Sequence, residues 1–70
     1  MDGAGRKRSY MMKIVEMVRK DPGISIDRIQ AEMAWREGLS PRRVSEYVET
    51  LVVVGQLKED EQGFSATDKK

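Results

Sequence analysis

Residues Ile24 to Leu57 read ISIDRIQAEMAWREGLSPRRVSEYVETLVVVGQL. Ile26, Ile29 and Met33 recur at spacings of three and four, which predicts a helix over roughly Ile26–Glu37. Ser25 stands where an N-cap belongs, and Asp27 falls at the positive end of the helix dipole. Gly38 suits the left-handed position that closes such a helix, and Leu39 supplies the apolar contact that often follows it. Ser40-Pro41 then restarts a helix, with serine as cap and proline at the first helical position. Val44, Val48 and Leu51 form its inner face, Tyr47 and Val52 flank them, and the pattern ends at Gly55. The stretch is therefore two short helices around a tight turn, and the second opens on the cations Arg42 and Arg43.

Working outward, Met11, Ile14, Val15 and Val18 make one apolar stripe and predict a first helix over about Ser9–Lys20, with Ser9 as N-cap. Asp21-Pro22-Gly23 ends it, because the residue before proline disfavours helical torsions. Ile24-Ser25-Ile26 is then a brief extended piece, long enough to pair one edge of a small sheet. On the other side, Gln56–Thr67 reads as a hairpin. Leu57 begins one strand, Asp60-Glu61-Gln62-Gly63 is the turn, and Phe64 and Ala66 belong to the second strand. The turn lacks Asn-Gly, so its type stays open. The expected organisation is a flexible basic arm over residues 1–8, one α+β domain over 9–67, and a frayed end over 68–70.

Seventy residues allow one domain and a small core. Charged residues are 36% of the chain, which provides a well-solvated surface. Cysteine and histidine are both absent, so zinc sites and the usual nucleophile–base pairs have no candidates. No cofactor, metal or catalytic residue is expected. No apolar run approaches the roughly 20 residues needed to span a bilayer. The expectation is a cytoplasmic protein, associated with the nucleoid if it binds DNA. Net charge is +1 but uneven: residues 1–20 carry six cations against two acids, while residues 25–55 carry four against five. The positive charge thus gathers on the arm and first helix.

The order helix, short strand, helix, turn, helix and two-stranded wing resembles the winged helix-turn-helix superfamily. Gly38-Leu39-Ser40, Val44, Tyr47-Val48, Leu51, Gly55 and Leu57 look like that superfamily's third helix and the start of its wing. The resemblance implies a third helix that enters the major groove and a wing that touches backbone or minor groove. A narrower similarity joins Arg8-Ser9-Tyr10-Met11-Met12-Lys13-Ile14-Val15-Glu16 and the Gly38-Leu39 turn to the C-terminal winged-helix domain of archaeal minichromosome maintenance helicases. In that family the small domain follows the ATPase motor and modulates it.

Two function classes follow. As a module that binds double-stranded DNA, the chain would use Arg42 and Arg43 against phosphates or guanine, helped by the free N–H groups of the helix start. Ser45 and Glu46 would lie nearest base edges, and Arg6, Lys7 and Arg8 would add nonspecific attraction. Alternatively these arginines are solvated surface, and Arg42 pairs with Glu46 one turn on. The outward face of the third helix is Arg42, Glu46, Glu49 and Val53 at about 100° per residue. Its acids, and Asp60 and Glu61 in the wing, favour the second class: a regulatory module that docks on a protein partner or parent enzyme. Trp35, Glu49 and Val53 are its candidate contacts. Trp35 lies off the Ile29/Met33 stripe. Either it packs against the first helix on a wide core face, or it belongs to an exposed partner patch.

Overall fold

The computed structural model of the protein describes residues 3–67, with side chains from Arg6 onward. The expected fraying at 68–70 lies outside these residues. Three helices precede a two-stranded sheet: α1 Gly3–Lys20, α2 Ile26–Glu37, α3 Pro41–Val53, β1 Leu57–Asp60 and β2 Gly63–Ala66. This is an α+β layout consistent with a winged helix.

The local signals in the middle of the chain act as their chemistry requires. Ser25 Oγ accepts from the Arg28 amide at 3.2 Å, and Ser40 Oγ accepts from that of Arg43 at 3.3 Å. Gly38 takes φ 70°, which lets its own amide reach Ala34 O and that of Leu39 reach Met33 O. Pro41 opens α3, where its missing N–H leaves no intrahelical bond unmade.

The first helix differs from expectation. It starts at Gly3, so residues 3–8 continue α1 rather than forming a flexible arm, and Ser9 is an exposed helical residue rather than a cap. Ala4, Arg6, Lys7 and Arg8 are good helix formers, and their propensity offsets the two glycines at the tip.

The strands pair antiparallel, Leu57 with Ala66 and Asp60 with Gly63. Glu61 and Gln62 form a two-residue loop. A primed turn needs positive φ at Glu61, and among the described residues positive φ is confined to glycines. Here the Asp60 carboxylate makes the turn instead, accepting from the Gln62 and Gly63 amides at 3.0 and 3.2 Å. The outer edge of β2 meets the chain between α1 and α2. Gly23 N–H donates to Phe64 O at 2.8 Å, and Phe64 N–H donates to Ile24 O at 2.9 Å. The expected edge pairing at Ile24 is therefore made.

One core joins all five elements. Ile14, Val15 and Val18 come from α1, Ile29 and Met33 from α2, and Val44, Tyr47, Val48 and Leu51 from α3. Ile24 and Leu39 enter from the turns, and Leu57 and Phe64 from the hairpin. Tyr47 is a full core member, not a flank, and its ring stacks on Tyr10 with centroids 6.1 Å apart. No side-chain nitrogen or oxygen buried in this core lacks a hydrogen-bond partner among the described residues. No helix among them is long and apolar enough to cross a membrane.

Candidate functional site

α3 is the element whose two faces differ most. Val44, Tyr47, Val48 and Leu51 fasten one side to the core, and Arg42, Glu46, Glu49 and Val53 are exposed on the other. The outward face expected from the helical spacing is therefore present. Gln30 adds a second fastening. Its amide donates to Ser45 Oγ at 2.7 Å and to Pro41 O at 3.4 Å, tying α2 to the start of α3. Gln30 escapes the sequence reading. Its place beside Ile26, Ile29 and Met33 on the helical wheel is the available signal.

That bond gives Ser45 a partner within the domain. It is half-buried in the seam between α2 and α3, with its oxygen already accepting from Gln30. The bond ties this side of α3 to α2 and leaves the Ser45 hydroxyl hydrogen free to donate. Thr50 is likewise tied back, donating to Glu46 O at 3.0 Å.

The helix start offers fewer free donors than an average one. Pro41 has no N–H, and Ser40 occupies that of Arg43. Among the first three positions, only the Arg42 amide is left for an anion. Binding there would depend on the guanidinium groups more than on the backbone.

The charges divide into neutralised and free sets. On α2, Glu32 lies between Arg28 and Arg36, at 3.7 and 3.4 Å. Lys13 of α1 meets Glu37 at 2.9 Å. These groups line an open groove of about 410 Å³ between α1 and α2, where both signs of charge alternate. By contrast, Arg42 and Arg43 are exposed and have no ion-pair partner among the described residues, and the i,i+4 pair expected between Arg42 and Glu46 is not formed. Arg6, Lys7 and Arg8 are also exposed, carried on the first turns of α1. The hairpin presents Lys58 beside Glu59, Asp60 and Glu61, so its tip is acidic. No group of three or more potential metal ligands occurs among the described residues.

Trp35 is not in the core. It is 88% exposed, so its packing against α1 is overturned. On a helical wheel the buried Ile29 and Met33 fall on the same side as Ile26, and Trp35 falls directly opposite Ile26. Three helices of this length close their core without that side. Val53 is also exposed, at 79%, and Val54 and Met12 join it as large apolar groups facing solvent.

Compared with family models, with curated proteins and with solved structures, the chain matches none of them.

Proposed function

We propose that this protein is a non-catalytic winged-helix module that binds duplex DNA weakly, in a transcriptional or replicative setting. The observation that carries the reading is the contrast between α2 and α3. The cations of α2 flank and share Glu32, whereas Arg42 and Arg43 stand exposed and without an ion-pair partner among the described residues, at the start of a helix whose inner face is anchored in the core. A rigid helix with free guanidinium groups at its leading end suits phosphate contact or bidentate contact with guanine. Arg6, Lys7 and Arg8 would add nonspecific attraction from α1. The lack of cysteine and histidine supports a role without catalysis. Such a module would work in the cytoplasm, at the nucleoid.

Binding would be weak because Glu46 and Glu49 share the α3 face with the arginines, and because the wing tip is acidic. The test is affinity for duplexes of unrelated sequence across a salt series. Arg42→Ala and Arg43→Ala should each weaken binding. Each lost phosphate contact should lower the slope of log K against log salt by about one unit. Unchanged affinity and slope in both variants would remove α3 as the contact surface.

One observation favours a second reading, a protein-docking regulatory module like the helicase domain noted above. The exposed Trp35 and Val53, with Glu49, are groups of the kind that anchor protein contacts. Binding to no duplex at low salt would leave this second reading standing.

A further inference from the structure

We infer that a DNA duplex held by α3 takes its second phosphate contact from Arg6 and Lys7 on α1, and that the hairpin makes none. The inference rests on the duplex-binding reading above and names the surface that completes it.

Two sets of cations meet across the seam between α1 and α3. Tyr10 of α1 stacks on Tyr47 of α3, with ring centroids 6.1 Å apart. Arg6 lies one turn before Tyr10, and Arg43 lies one turn before Tyr47. In a helix that spacing sets each arginine about 40° round the axis from its tyrosine. The stack therefore brings an arginine of each helix to one seam. Lys7 flanks Tyr10 on its other side, at about 60°, whereas Arg8 lies about 160° away, on the far side of α1.

Residues 6–9 are all exposed, so a full turn of helix stands clear of the core. Arg6, Lys7 and Arg43 have no ion-pair partner among the described residues. Unpaired cations spread over two helices suit a chain of phosphates, which presents charge at several points, better than a single carboxylate.

The hairpin sits at the other end of α1. Gly23 N–H donates to Phe64 O at 2.8 Å, and a Cβ on Gly63 would overlap Gly23 O, so the hairpin tip packs just past Lys20. From Lys7 to Lys20, α1 rises about 20 Å. That is twice the screening length of about 10 Å at 0.1 M salt. The tip carries Glu59, Asp60 and Glu61, and Lys58 is the single cation of residues 57–66. The acidic tip thus weakens binding by withholding a contact, not by repelling phosphates held at the start of α1.

The experiment titrates a fluorescent duplex with the full chain, from about 20 to about 200 mM salt, a range over which each phosphate contact is resolved in the slope. Arg6→Ala and Lys7→Ala should each lower the slope of log K against log salt by about one unit, as Arg43→Ala does. Arg8→Ala should lower it by less than half as much. Lys58→Ala should leave slope and affinity unchanged. The pair Glu59→Gln and Glu61→Gln should change affinity less than about twofold at 0.1 M salt. Asp60 is kept, because its carboxylate makes the turn. Alanine preserves the helix at position 6, which is outside the core, so the thermal unfolding midpoint of Arg6→Ala should not move. Equal losses from Arg6→Ala and Arg8→Ala overturn the inference in favour of diffuse attraction. A slope lowered by Lys58→Ala overturns it by putting the hairpin on the phosphates. A loss in Arg43→Ala with none in Arg6→Ala overturns it and leaves α3 as the contact surface. A chain that binds no duplex even at low salt removes both.

Discussion

Gly63 occupies a point where two chain segments nearly touch. Its φ is 146°, and a Cβ there would overlap the carbonyl oxygens of Gly23 and Ile24. Gly38 also has a left-handed torsion, φ 70°, but lies in open space. The two glycines should therefore respond differently to the same change. Gly38→Ala meets only the torsional cost, about 1–2 kcal/mol. Gly63→Ala adds displacement of two backbone segments and should exceed that, with loss of the Ile24–Phe64 pairing. Urea unfolding of both variants checks this, and equal costs would show that the approach at Gly63 relaxes without penalty. Trp35 marks the limit of legibility at this scale. Its wheel position is readable, but whether a third helix covers it depends on packing that no local pattern encodes. Ser45 is legible as lying near the α3 surface, but its bond to Gln30 joins two helices and has no signature within either.

Among the elements, α2 and α3 are legible nearly to the residue, because each carries a serine cap, a periodic core stripe and a distinct stop. α1 is not, because Ser9 resembles a cap while the residues before it are themselves good helix formers. The hairpin is legible in extent but not in turn geometry. Its turn depends on the Asp60 side chain reaching two amides, where the familiar signals are Asn-Gly or Asp-Gly. Under the proposed function, duplex binding by α3 would depend on the balance between Arg42 and Arg43 and the exposed Glu46 and Glu49. Replacing Glu46 and Glu49 together by Gln should tighten duplex binding severalfold at low salt, because two repulsions leave the phosphate field. Titration with fluorescent duplex measures it. Weakened and less selective binding in that variant would instead show the glutamates reading cytosine.

At the scale of the whole molecule, stability rests on a core too small to spare a member. Leu51 is nearly fully buried among residues from the other elements, and Leu51→Ala should cost about 2–5 kcal/mol. Thermal and urea unfolding would show this, and a loss below about 1 kcal/mol would contradict the packing around α3. Most of this core is foreseeable from periodicity. Tyr47 is less so: periodicity puts it at the flank of the α3 stripe, whereas it is buried in the core and stacks on Tyr10 of α1. The pairing of Gly23 and Ile24 with Phe64 also bears on how the chain is made. Contacts between segments so far apart in sequence are costly to close before their surroundings are ordered. During synthesis α1, α2 and α3 leave the ribosome before Leu57 and Phe64 emerge. In that interval the apolar face that the hairpin later covers is open, and arrival of the hairpin is the event that closes the nascent domain to chaperones and proteases.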